Sequence, residues 1–448
     1  MRDAASRARW LWVLGIGGLI FAGLGLISGR WILADPHREF LRADAAFKAG
    51  RYAEADAALR RLERLRAPTP VDRLLRAEVA VGLKRPAEDA LTELAAIPDG
   101  HPVAPLARLR AGQIQIRRGR TRPAEAAFLA SLRLLPREVQ ARKELVYIYN
   151  IQHRQAELDA MLGALLDLDA LDFQYILHWT KTRNTPWNPS GDLPALEQFV
   201  AADPEDRWSR LALAEALRRL DRLDDAERVL EKLPASDPEA RAKRVVIAMG
   251  RGDFARAESL LAEGPADHPA LASLRGQLAL RRHDGAAAVR HFRLALAADP
   301  LDHGALSGLG TALRSVGQAD AARPYLEAAQ RHEQLWHLVA RAATAEGERD
   351  PRLPHQLGMA CAAIGRNQEA RAWLKLAIQR DPLDAECQQT LFELEHGPTS
   401  RSAGQEPGSL RSQNGRRDFP PGPPTVSGPD VFFRPRGEIF LVTRICWH

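Results

Sequence analysis

HGALSGLGTALRSVGQADAARPYLEAAQRHEQ, residues 303–334, is the stretch from which the fold can be read. Leu306, Leu309 and Leu313 recur three and four positions apart, which puts them on one face of a helix. Gly310 adjoins that face and leaves room for a second backbone to approach. Gly317 stops the periodicity, as a left-handed helix cap would. Beyond it Ala322, Leu326 and Ala329 restart the same spacing on a second helix. The stretch predicts two helices folded against each other across a tight turn.

The pattern returns along the chain. Residues 351–382 repeat it with Leu357-Gly358, Cys361, Gly365, Ala370, Leu374, Ala377 and Pro382. Upstream it runs through Leu74, Ala77, Ala90, Leu94 and Pro102, and then Ala111-Gly112, Gly119, Ala124, Phe128 and Pro136. It continues through Leu213-Ala214, Leu217, Ala226, Leu230 and Pro238, through Gly252, Ala257, Leu261 and Pro269, and through Gly276, Ala288, Phe292 and Pro300. Gly50, Ala55 and Leu59 open the series. The period is about 34 residues. A lone helix pair leaves its outer faces unburied, so such units must stack.

These positions resemble the tetratricopeptide-repeat consensus: large then small apolar residues in helix A, a glycine turn, alanine and a large apolar residue in helix B, and a closing proline. The resemblance implies an all-α fold, a right-handed α-solenoid whose A helices line a concave face that commonly receives an extended peptide or a helix. Phasing each unit on its turn puts Gln113, Arg117, Arg218, Gln277, Arg281, Arg314 and His355 on that face as the expected protein-binding residues. Most are long hydrogen-bond donors suited to a peptide backbone or a carboxylate.

Repeats are expected over 36–138 and 207–396, the latter closing on a capping helix at Asp384–Glu395. Between them, 139–206 reads as irregular helix around Thr185-Pro186-Trp187-Asn188-Pro189. It is rich in aromatics (Tyr147, Tyr149, Phe173, Tyr175, Trp179, Trp187), which fit either a bulky filler or a docking patch. Gln330–Glu348 reads as an extra helix between two repeats.

Ahead of the repeats, WLWVLGIGGLIFAGLGLISG at 10–29 is uncharged, long enough as a helix to cross about 30 Å of hydrocarbon. Trp10, Trp12 and Trp31 suit the two interfaces. Arg2, Arg7 and Arg9 keep residues 1–9 in the cytoplasm by the positive-inside rule, so a signal-anchor helix at 10–33 would leave the repeats outside a bacterial inner membrane. Gly15, Gly18, Ala22, Gly25 and Gly29 form a small-residue stripe suited to pairing with a second copy. The plan is similar to bacterial membrane proteins that assemble envelope machinery. At the other end, 397–448 is rich in Gly, Pro, Ser and Arg and is expected to be disordered.

The net charge of +6 sits at the ends. Residues 35–396 hold 52 basic and 52 acidic side chains, without the excess that a nucleic-acid partner requires. Cys361, Cys387 and Cys446 are too widely spaced for a disulfide framework or a local metal motif. No phosphate loop, nucleophile elbow or metal-binding helix motif occurs, so no catalytic residue, cofactor or metal is expected. The reading is a membrane-anchored scaffold that binds proteins and does no catalysis. Its alternative is a non-catalytic subunit of an envelope enzyme complex.

Overall fold

The computed structural model describes residues 35–184 and 189–397. The expected span at 10–33 with its glycine stripe, Trp187, and the tail beyond Gly397 lie outside them. Among the described residues there are 22 α-helices and no strand, and no helix is long and apolar enough to cross a membrane.

The helices come in pairs. α1 (Pro36–Lys48) folds back on α2 (Tyr52–Leu65), α3 (Pro70–Gly82) on α4 (Ala87–Ala95), α5 (Ala104–Arg117) on α6 (Thr121–Leu134), and α7 (Val139–Ile151) on α8 (Gln155–Asp167). Next are α9 (Phe173–Asn184), α10 (Leu193–Ala202) and the pairs α11 (Arg207–Arg219) with α12 (Leu223–Glu231), and α13 (Pro238–Gly250) with α14 (Phe254–Ala262). After them run α15 (Pro269–Arg281), α16 (Gly285–Ala298), α17 (His303–Ser315), α18 (Ala319–Ala342), α19 (Ala345–Arg349), α20 (Leu353–Ala363), α21 (Asn367–Arg380) and α22 (Ala385–His396).

The chain divides into two compact units. Unit 1 comprises 35–170 and 189–275; unit 2 comprises 171–184 and 276–397. In unit 1 the core is a series of leucine-alanine layers, such as Leu211, Ala214 and Leu217 of α11 against Ala226 and Leu230 of α12. In unit 2, Leu357 and Cys361 of α20 are buried, as are Trp373, Leu374 and Ala377 of α21.

Turns at the ends of the A helices take the left-handed conformation at Gly50, Gly119, Gly252, Gly317 and Gly365, as the glycine spacing predicts. Lys84, His153, Asp221 and His283 adopt it too, although a Cβ opposes it. The turn recurs because the stacked helices demand it, so periodic geometry survives where the sequence signal is lost. The small position in helix A is a true close approach. A Cβ on Gly310 would stand 2.6 Å from Leu326 Cγ, and one on Gly358 2.7 Å from Leu374 Cδ2.

Two regions depart from the sequence reading. Gln330–Glu348 is no separate helix, because α18 runs unbroken through Ala342. Ala329, His332, Leu335, Val339 and Ala342 extend one buried stripe, and no glycine or proline interrupts them. Only then does Thr344 stop the chain, its Oγ1 accepting the Gly347 N–H at 3.0 Å to cap α19. The second region is α9. It packs on α18 and α21 of unit 2, while α10, which follows it in sequence, packs on α11 in unit 1.

Phe173 and Trp179 of α9 are buried, which makes them core filler rather than an exposed docking patch. Phe173 meets Trp373 edge-on at 5.4 Å between centroids, and the Trp373 indole Nε1 donates to Thr180 Oγ1 at 2.8 Å.

Candidate functional site

The expected binding residues lie on A helices, and the local sequence explains their placement. Each A helix buries its leucines and small residues against helix B, which turns the intervening polar positions toward the neighbouring A helix. Direct A-to-A packing is present between α5 and α7, between α11 and α13, and between α20 and α22.

On α5, Gln113 and Arg117 stand one turn apart. The Gln113 side chain is spanned by a polar ladder. Arg110 Nε pairs with Glu78 of α3 at 2.7 Å, Arg110 Nη1 donates to Gln113 Oε1 at 2.8 Å, and Gln113 Nε2 donates to Glu144 of α7 at 2.9 Å. Arg117 is exposed beside this ladder. Acids and bases alternate from helix to helix, so the surface is polar but nearly balanced.

Arg218 belongs to a more charged cluster on α11 and α13. Glu215 accepts from Arg218 at 2.7 Å and Arg219 at 2.8 Å, with the Lys243 ammonium 3.7 Å away. Burial works against the Glu215 charge, yet the three cations more than offset it and hold its carboxyl at about 2. Glu215, with Glu239 also acting on Lys243, sets two carboxylates against three cations, which leaves one cation in excess to suit an anionic side chain or a chain-terminal carboxylate. Lys243 and Glu215 were not among the sequence-derived residues. Their signal is the position of each A helix beside the next, which a per-unit alignment does not display.

In unit 2, Gln277 and Arg281 on α15 and Arg314 on α17 are exposed. His355 on α20 is half-buried and already engaged. Its Nδ1 lies 2.6 Å from Asp384 Oδ2 and its Nε2 3.5 Å from Glu386. The structure thus joins Gln113 to the α3–α7 ladder and Arg218 to Lys243, and it commits His355 to the start of α22.

Asp384 also caps α22, its Oδ1 accepting the Cys387 N–H at 3.0 Å. Unit 1 uses the same device at α13. There Asp237 accepts the Glu239 and Ala240 N–H groups at 3.0 and 3.1 Å, while Arg207 of the preceding A helix grips it at 2.5 and 2.9 Å. In both places an N-cap aspartate is pinned by a basic residue about one repeat upstream. Amide and basic donors together hold both carboxyls low, and that of Asp384 falls to about 2.

Three stretches, 193–246, 273–336 and 353–382, match tetratricopeptide-repeat families. Part of the chain is similar to a glutamyl-tRNA reductase from Acidovorax sp. (strain JS42), 29% identical over 140 residues. That match covers 29% of this chain and 30% of the enzyme, so the chain spans under a third of that relative. Among solved structures it is similar to a tetratricopeptide repeat protein from Parabacteroides merdae, at 14% identity over 62% of this chain and 98% of the other (TM-score 0.30). Yeast Tom70 is similar at 13% identity over 81% and 88% (TM-score 0.29). Human IFIT1 is similar at 15% over 80% and 86% (TM-score 0.35).

Proposed function

Starting from a chain that carries tetratricopeptide repeats, we propose that it is a scaffold that binds other proteins through its A-helix faces, tethered to a membrane by residues 10–33. The observation that carries this reading is the Glu215–Arg218–Arg219–Lys243 cluster. It gathers charge from two stacked A helices on a face whose apolar side is already consumed by helix B, leaving recognition as the use for its polar side. Its cationic excess favours acidic segments or C-terminal carboxylates. In unit 2 the exposed Arg281 and Arg314 offer the same chemistry. The protein contributes binding and leaves catalysis to its partners, and the stripe from Gly15 to Gly29 supports self-association of the anchor.

Capture from detergent-solubilised membranes, read by crosslinking and mass spectrometry, tests the binding. Arg218→Ala with Lys243→Ala, and separately Arg281→Ala with Arg314→Ala, should each weaken capture of the same partner. The exposed Arg281–Arg314 pair should leave the melting midpoint nearly unchanged, whereas the first pair also lowers it because Glu215 loses two of its three cations. Undiminished capture by both double variants sinks the A-face reading. Retention of the protein in membranes through a carbonate wash, with the repeats digestible from outside spheroplasts, tests the tether and its orientation.

A further inference from the structure

At the start of α22, three ligand-type atoms converge: His355 Nδ1, a carboxylate oxygen of Asp384 and Cys387 Sγ, all within 4.8 Å of one another. We propose that these three side chains bind a zinc-type divalent cation that fastens α22 to α20.

The comparison with α13 sets this cluster apart from an ordinary helix cap. There the N-cap aspartate, Asp237, is gripped by an arginine, and the residue three positions on is Ala240. At α22 the gripping residue is His355 and the residue three positions on is Cys387. A guanidinium has no lone pair to give a metal, and alanine has no ligand atom. Exchanging that pair for imidazole and thiol leaves the cap geometry intact and supplies one nitrogen, one oxygen and one sulfur donor. The Asp384-x-x-Cys387 interval has the spacing of paired zinc ligands.

The distances fit an ion after a modest spreading of the ligand atoms around His355. Cys387 Sγ lies 3.2 Å from His355 Nδ1, which in turn lies 2.6 Å from Asp384 Oδ2. Zinc bonds of about 2.0–2.3 Å separate tetrahedral ligand atoms by roughly 3.3–3.7 Å, so the imidazole has to retreat by under about 1 Å. The other imidazole nitrogen supports the assignment independently. With Nδ1 on the metal, the proton resides on Nε2, which faces the Glu386 carboxylate at 3.5 Å. That is the histidine-to-carboxylate support that orients metal-bound imidazoles. The charges also balance well. Asp384 and a Cys387 thiolate would together neutralise a divalent ion, with water completing the shell. Binding sends the Cys387 thiol proton to solvent.

Full-length protein, stripped with chelator and kept reduced, is titrated with Co(II) and then with Zn(II). The expected result is a near-ultraviolet thiolate-to-cobalt absorption that saturates at one ion per chain and is lost on adding zinc. Cys387→Ser removes the absorption, whereas Cys361→Ser and Cys446→Ser retain it. Asp384→Asn preserves a good N-cap but weakens zinc binding by ~10-fold or more. Absence of the absorption in the native chain at excess Co(II), or its persistence in Cys387→Ser, overturns the assignment. Should Cys387→Ser fail to fold, unchanged zinc affinity in Asp384→Asn overturns it equally.

Discussion

α9 and α10 stand where one more helix pair belongs, since the left-handed turns at His153 and Asp221 lie two repeat lengths apart. Instead each packs in a different unit, and the two are fastened by opposite chemistry. α9 is fastened in unit 2 by aromatic burial around Trp373, whose indole N–H donates to Thr180. The α10–α11 junction is fastened in unit 1 by a buried polar knot. Asp206 there is wholly inaccessible. It accepts from the Thr121 hydroxyl, from Gln152 Nε2 at 3.0 Å and from Ser209 Oγ at 2.5 Å, and it caps α11 through the Trp208 N–H at 3.1 Å. Arg122 adds a two-pronged pair to Asp203 at 2.6 and 2.7 Å nearby.

The two fastenings do different work. Apolar burial supplies more free energy and tolerates small displacements, because it scales with area and is non-directional. A buried carboxylate supplies less net energy but accepts only one arrangement of donors, because each lost partner leaves a desolvated polar group. The aromatic site gives α9 adhesion, and the knot gives α10–α11 register.

The contrast can be broken by experiment. Trp373→Ala should be the most damaging change, costing about 3–5 kcal/mol through the cavity it leaves. Hydrogen exchange should then speed up across α9 and α21 far more than across α10 and α11. Equal acceleration in both would show that the two fastenings do not act separately.

Asp206→Ala comes next, at about 3 kcal/mol, because it removes a helix cap and strands Thr121, Gln152 and Ser209 together. Denaturant unfolding of the variant measures the loss, and exchange should rise first at α11. A loss under about 1 kcal/mol would mean that water replaces the carboxylate and that the knot does not specify register.

Acid should loosen α9 by about 3 kcal/mol. Burial lowers the His178 imidazole to about 4, so folded protein keeps it neutral where the unfolded chain protonates. Stability is complete above the unfolded value near 6.5, declines as pH falls from there to about 4, and levels off below. Replacing His178 with glutamine should flatten that decline in α9 exchange.

Smallest is Thr180→Val, at about 1 kcal/mol, which keeps the shape of the site and leaves the Trp373 N–H without its acceptor. The melting midpoint reads it directly. A loss as large as that of Trp373→Ala would make the hydrogen bond, and not the ring, the main fastening of α9.

Much of this architecture is written locally. The Leu309-Gly310, Gly317 and Ala322-x-x-x-Leu326 spacing specifies a helix, a turn and a returning helix, because each depends on side chains within one or two turns of each other. Gly358 announces its own close approach to Leu374 in the same way. The left-handed turns at Lys84, His153, Asp221 and His283 carry no such local signal, because their residues resist the conformation and the stacked helices impose it. Gln113 and Arg218 could be assigned to A helices from the repeat spacing alone.

Contacts set by stacking were illegible from the sequence. Thr121 and Asp206 meet across 85 positions, and Trp373 and Thr180 across 193. His355 reaches Asp384 and Cys387 only because α20 and α22 lie side by side. The sequence by itself determined the helix pairs, their glycine turns and their buried faces, since those arise from periodicity along one chain segment. Which pair comes apart, where α9 docks, and which polar residues end up as neighbours were decided by tertiary structure alone. Those outcomes depend on shape and partner chemistry between helices, and no spacing along the chain encodes them.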